Sequence, residues 1–76
     1  MSSTAVIYVS LLNEGSPTCR PVLAAHESDD VYRIIGVNED PDDEEWEFCT
    51  GDRVRCKLHK FGDGRTTGLL AYEKTP

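Results

Sequence analysis

Apolar and polar side chains alternate over several short stretches of this chain, which is the pattern of β-strands with one buried face. The clearest stretch is 53–59, RVRCKLH, in which Val54, Cys56 and Leu58 are expected to face inward. Similar stretches occur at 5–12, at about 19–26, at 31–37 and at 66–73. No window places apolar residues at helical spacing between capping residues. The pattern predicts an all-β chain.

Short turn sequences join these stretches, at 13–17 (NEGSP), 27–30 (ESDD) and 62–64 (GDG). Pro21 cannot donate a hydrogen bond, so we expect an exposed edge or an irregular start in the second strand. Gly36 predicts a bulge or a bend. An antiparallel meander of five to six strands, forming one domain over residues 1–76, best fits a small SH3-like barrel. An OB-like barrel is the alternative, although that fold usually carries a helix where this chain has an acidic loop.

The densest negative charge surrounds the only tryptophan, in residues 39–48, EDPDDEEWEF. Trp46 and Phe48 alternate with Glu45 and Glu47, which predicts a half-buried strand in which Trp46 closes the core. The next strand directs basic side chains outward. We therefore expect Glu45 and Glu47 to lie opposite those cations, as cross-strand pairs worth roughly 0.2–1 kcal/mol each.

The length and the charge of the chain limit the classes of function that are possible. A chain of 76 residues has room for one domain with a small core. The net charge is −6, but residues 1–52 hold twelve anions and two cations, whereas 53–76 hold six cations and two anions. The overall field repels phosphate backbones and so disfavours general nucleic-acid binding, although a local basic strip remains.

The compartment is predicted from the cysteines and the apolar content. Three cysteines, Cys19, Cys49 and Cys56, cannot all pair within one chain and suit a reducing compartment. No Lys or Arg precedes the first apolar run, and no apolar stretch approaches the roughly 20 residues that span a bilayer. We expect a cytoplasmic protein with no membrane partner.

The carboxylate run is a candidate calcium site, because Asp40, Asp42 and Glu44 alternate as oxygen ligands do. Glu45 stands where the helix-loop-helix calcium motif requires glycine, so a solvated loop is favoured. Cysteine and histidine suggest zinc as a second metal, with Cys49, Cys56 and His59 joined by Cys19 or His26.

The spacing of those residues lacks a Cys-x2-Cys pair, and Cys56 and His59 point to opposite sides of a regular strand. Cys56 is therefore interpreted as a core residue. The same geometry weakens a Cys/His catalytic pair. We expect no metal, no cofactor and no enzymatic activity.

Four short motifs, in order, resemble a group of short, acidic, single-domain bacterial proteins of unassigned function. They are LLNEG at 11–15, RPV at 20–22, DEEWEF at 43–48 and GDRVRCK at 51–57. The resemblance covers most of the chain and implies a small β-barrel. It implies no activity, ligand or catalytic residue.

Two functions follow as hypotheses. The first is a non-catalytic interaction or regulatory accessory module that offers an acidic loop to a basic protein surface. Its partner-binding residues would be Glu39, Asp40, Asp42, Asp43 and Glu44. The alternative is a nucleic-acid or ribonucleoprotein-associated barrel that acts through residues 53–60, with Phe61 or Tyr72 as a stacking surface. Its cations would be Arg53, Arg55, Lys57 and Lys60, beside His59 and Arg65.

Overall fold

A computed structural model of the chain describes residues 3–15, 18–62, 64 and 66–75. These residues form six strands: β1 (Ser3–Leu12), β2 (Cys19–Ser28), β3 (Val31–Ile34), β4 (Glu45–Trp46), β5 (Arg53–Phe61) and β6 (Thr66–Lys74). The described part of the chain contains no helix, and hence none that could cross a membrane. The all-β prediction is confirmed. The predicted turns at 13–17 and 62–64 include Ser16, Pro17 and Asp63, which lie outside the described residues, as does Arg65.

The strands form one mixed sheet in the order β2-β3-β5-β6-β1-β4, and β1 also pairs with β2. Five strands thereby close into a ring, to which β4 is added. Every pair in the ring is antiparallel except β1 with β6, which is parallel at Ile7–Leu69 and Tyr8–Leu70. The prediction of a purely antiparallel meander is therefore wrong. Five strands that alternate in direction leave the first and the last running the same way, so the pair that closes the ring is parallel.

The third strand is shorter than the predicted 31–37 because the chain leaves β2 after Ile34. The N–H groups of Ile35 and Gly36 both donate to the carbonyl oxygen of Leu23, each at 2.9 Å. Two consecutive residues opposite one residue are the pattern of a β-bulge, which confirms the prediction at Gly36. A side chain would not fit easily there, since a Cβ on Gly36 would lie 3.2 Å from the Leu23 nitrogen.

The core lies inside the ring. Its buried residues come from all six strands and the segment after β4: Ile7, Val9, Val22, Ala24, Ile34, Trp46, Phe48, Val54, Cys56 and Ala71. Trp46 and Phe48 are each only 8% exposed, so the prediction that Trp46 closes the core is confirmed. Val54 and Cys56 also face inward, as the alternation predicts.

Leu58 does not join that core, although alternation places it on the same face as Cys56. Its side chain is 75% exposed. The pairs between β3 and β5 end at Val31–Arg55, so the later part of β5 has only β6 beside it. The prediction of an inward Leu58 is wrong because β5 runs past the end of its neighbour.

The acidic strand β4 pairs with β1, through Leu11–Trp46 and Leu12–Glu45, and not with β5. The backbone N–H of Glu47 also donates to Ser10, at 2.9 Å. The expected cross-strand pairs of Glu45 and Glu47 with the basic strand are therefore wrong, because β4 pairs with β1, and the strands that flank β5 at Arg53 and Arg55 are β3 and β6.

Candidate interaction surface

The acidic loop, residues 39–45, has a fixed shape because one side chain bridges it. Asn38 donates from Nδ2 to the carbonyl oxygen of Glu44 at 2.8 Å, and its Oδ1 accepts from the N–H of Asp40 at 2.9 Å. Within the loop, the N–H groups of Asp43 and Glu44 donate to the carbonyl oxygen of Asp40, at 3.0 and 2.8 Å. An Asx-type bond and two turn bonds thus hold the loop in one conformation.

Glu44, one of the five predicted partner-binding residues, is used by the fold. Its carboxylate accepts two hydrogen bonds from the Arg20 guanidinium, one of them from Nε at 3.0 Å. It also accepts from Nε1 of Trp46 at 3.2 Å. A bidentate pair of this kind is geometrically specific, so Glu44 fastens the loop to β2 and to the core tryptophan.

The other four predicted residues, Glu39, Asp40, Asp42 and Asp43, are exposed. The ion pairs formed among the described residues involve none of these four carboxylates. They therefore present negative charge to solvent from one ordered loop. Such a group accepts hydrogen bonds and ion pairs from Lys and Arg side chains.

A cavity of about 430 Å³ lies beside this loop. Its lining residues include the apolar Leu23 and Val37, together with Trp46 and four charged residues: Arg20, Glu39, Asp40 and Glu44. A second cavity, of about 370 Å³, is lined mainly by acidic and amide side chains of the acidic loop and the turn after β1. Only the first cavity joins the acidic loop to an extended apolar surface.

Three cations of the alternative site already have partners within the chain. Arg53 lies 2.7 Å from a carboxylate oxygen of Glu27, and Arg55 lies 3.8 Å from one of Glu73. The ammonium group of Lys57 lies 5.1 Å from the ring centre of Tyr72, in cation–π range. Exposed pairs contribute little stability, about 0–1 kcal/mol, but they reduce the positive potential offered to a phosphate backbone.

Lys60 is exposed like these three cations, but among the described residues it has neither an ion pair nor a cation–π contact. The proposed stacking rings are both engaged. Phe61 contacts Tyr8, with ring centres 4.6 Å apart, and His59, at 4.8 Å. Tyr72 is covered by its cation and donates to Asp30 at 3.5 Å. Both rings thus already have contacts within the chain, although Tyr72 of β6 is 41% exposed.

The three cysteines are dispersed and free. Cys56 is buried, and burial, reinforced by the Asp30 carboxylate, raises the pKa of its thiol to about 11. Cys49 is exposed and Cys19 is half-buried, 4.0 Å from the Ser10 hydroxyl. In the part of the chain that the structure describes, no three His, Cys, Asp or Glu side chains converge as metal ligands. Cys56 acts as an apolar core residue, and its high pKa is the opposite of an activated nucleophile.

Two residues that build this surface, Asn38 and Arg20, were not predicted from the sequence. Asn38 precedes a turn rich in aspartate, and an Asx-type bond is a recognisable signal at such a position. Arg20 is 24 residues from Glu44, and no local pattern links them.

In comparisons with protein-family models, curated proteins and solved structures, the chain matched none.

Proposed function

We propose that this protein is a non-catalytic interaction module, a regulatory accessory that presents its acidic loop to a basic surface of a partner protein. The observation that carries the proposal is the exposure of Glu39, Asp40, Asp42 and Asp43 on one ordered loop, with no described cation paired to them. Complementary charge of this kind steers association and selects partners, and its effect weakens with salt.

The hydrogen-bonded conformation of the acidic loop supports a role in binding over a role as a solvated connection. Like charges held close together destabilise a compact state, so a loop that served only as a connection would be more stable without them. The hydrogen bonds of Asn38 and Asp40 fix the loop before any partner arrives. Binding then loses less conformational entropy than it would with a flexible loop.

The acidic loop is preferred over the basic strand as the binding surface. Arg53, Arg55 and Lys57 are each engaged by Glu27, Glu73 or the Tyr72 ring. Within the described residues no cation pairs with the four exposed loop carboxylates, those of Glu39, Asp40, Asp42 and Asp43. The net charge of −6 also repels nucleic acid at long range. We therefore place the interaction at the loop.

The scaffold proposed for this role is a small SH3-like barrel. A five-stranded ring around one core supports it. Residues 35–44, all of them described, contain no helix, which counts against the OB-like alternative. The exposed thiol of Cys49 suits a reducing compartment, and we propose the cytoplasm.

The test compares two charge-neutralised variants that differ in where the charge is removed. The loop variant carries Glu39→Gln, Asp40→Asn, Asp42→Asn and Asp43→Asn. The control variant loses the same charge outside the loop, through Asp29→Asn, Asp30→Asn, Glu47→Gln and Glu73→Gln. Each tagged protein is used for affinity capture from its own cells at about 50 mM and about 300 mM salt, which brackets strong and weak electrostatic attraction.

We expect the unaltered protein and the control variant to retain the same partner in the dilute buffer and to lose most of it in the concentrated one. The loop variant should retain none in either buffer. Equal retention by the loop variant, or recovery of no stable partner by the unaltered protein, would contradict the proposed function.

A further inference from the structure

An apolar row lies on the outer face of the ring, next to the acidic loop. Val6, Leu23 and Ile35 are 54%, 46% and 39% exposed, and Val37 is 68% exposed. Val6 and Leu23 are direct cross-strand partners, and the carbonyl oxygen of Leu23 accepts the N–H of Ile35. Val37 lines the same cavity as Leu23. Contiguous exposed apolar side chains mark interaction sites, whereas isolated ones do not.

The β-bulge after β3 opens a groove at the end of this row. Pairs between β2 and β3 begin at Ala24–Ile34, so the earlier part of β2, Arg20–Val22, has no β3 residue beside it. The carbonyl of Leu23 points towards the bulge, and alternation directs the carbonyl of Pro21 to the same side. Proline has no N–H there, so this edge is unsuited to adding a complete strand. Side chains must therefore provide the recognition.

The groove is large enough for side chains of a partner. Its volume of about 430 Å³ falls within the range of ligand pockets, roughly 300–1,000 Å³. Leu23 and Val37 are apolar lining residues, and Glu39 and Asp40 are acidic ones. Arg20 also lines the cavity, but its guanidinium is paired with Glu44. Apolar and anionic groups are thus combined within one site.

We propose that this groove binds a short segment of a partner protein in which an apolar side chain is flanked by lysine or arginine. The proposal rests on the proposed function of the acidic loop and adds an apolar anchor to it. The apolar side chain packs on Leu23 and Val37, and the flanking cations pair with Glu39 and Asp40. An apolar contact in a groove supplies affinity, and the charges around it select the partner.

Charge complementarity decides among the possible occupants. A second copy of this chain does expose Leu58 between Lys57 and Lys60, but it would also bring its own acidic loop and a net charge of −6 towards the same carboxylates. Like charges across an interface oppose association. Anionic lipids and nucleic acids meet the same repulsion, so a basic and apolar protein segment is the occupant that fits.

The first experiment selects ligands from a library of random peptides, about twelve residues long, displayed on phage, with the intact protein as bait at about 50 mM salt. We expect a consensus that contains one Leu, Ile, Val, Met or Phe flanked by Lys or Arg. A basic consensus without an apolar position would contradict binding in the groove, but it would still agree with the proposed function of the acidic loop. An acidic consensus, or no enrichment, would count against both.

The second experiment measures the affinity of a selected peptide through the fluorescence of Trp46, the only tryptophan, which lines the groove. Val37→Ser and Leu23→Ser should each weaken binding about tenfold, because an apolar contact is lost. Leu58→Ser changes an equally apolar, exposed residue that does not line the groove, and should bind normally. Circular dichroism melting checks that each variant is folded. Normal binding by the folded Val37→Ser and Leu23→Ser proteins would overturn the inference.

Discussion

Trp46→Ala should remove a large fraction of the stability of this domain. Trp46 is 8% exposed and belongs to the core cluster, and its indole also donates to Glu44. Replacing it with alanine leaves a cavity as large as the lost ring, and the short strand β4 cannot move in to fill it without breaking its pairs with β1.

The magnitude follows from the buried area. A tryptophan side chain buries about 200 Å², and at about 25 cal/mol per Å² this corresponds to roughly 4–5 kcal/mol, within the 3–5 kcal/mol typical of such truncations. A chain of 76 residues has a total stability of about 4–11 kcal/mol. With a total near the lower end of this range, the Trp46→Ala protein will be largely unfolded at 25 °C. With a total near the upper end it will stay folded but lose roughly two fifths of its stability.

The assay is urea denaturation followed by circular dichroism, since the variant has no tryptophan fluorescence. Leu58→Ala is the matched control, because an exposed apolar side chain should change stability by less than about 0.5 kcal/mol. An unchanged unfolding midpoint for Trp46→Ala would refute the core assignment. It would also identify the tryptophan as a contact residue of the binding surface.

Two further predictions concern packing and titration. A Cβ on Gly68 would lie 2.5 Å from Cε2 of Tyr8, so Gly68→Ala should cost about 1–3 kcal/mol in urea denaturation, and less when Tyr8 is also alanine. Equal costs in both backgrounds would contradict that contact. Burial and the Asp30 carboxylate raise the pKa of Cys56 from 9.0 to about 11, so above pH 9 the unfolded chain loses this proton first. Stability should fall by roughly 2–3 kcal/mol between pH 9 and 11, and Cys56→Ala should remove that part of the fall; the same fall in the variant would exclude Cys56 as its cause.

Alternation along the chain was sufficient to predict the strands and many of their faces. The stretch 53–59 became β5, extended by two residues, and Val54 and Cys56 are buried as expected. Leu58 shows the limit of this reasoning. Alternation assigns a side chain to one face of a sheet, but whether that face is covered depends on how far the neighbouring strands extend.

Strand neighbours could not be predicted in the same way. The alternation of Trp46 correctly indicated burial, but it contained no information about pairing, and a strand of two residues has little pattern to match. Glu45 and Glu47 therefore lie beside β1 and not beside the basic strand. The negative charge of the loop was visible in the sequence, whereas the contact between Arg20 and Glu44 depends on the folded chain.

The apolar row beside the loop also combines features that local sequence predicts with features that depend on the folded chain. Val6 and Leu23 alternate with buried residues, so their outward position follows from the pattern. Their proximity to Val37 depends on the β-bulge, which the glycine at position 36 indicates without defining its direction. The proposed binding surface, formed by three segments, is thus only partly encoded in local sequence.

The most direct test of the central claim measures stability and binding on the same preparation of the variant with Glu39, Asp40, Asp42 and Asp43 neutralised. If these carboxylates serve a partner, their removal relieves repulsion within the loop, and the melting temperature should stay the same or rise while partner capture is lost. A melting temperature that falls, with capture reduced only in proportion to the unfolded fraction, would show that the charges support the fold. Full capture by this variant would contradict the account outright.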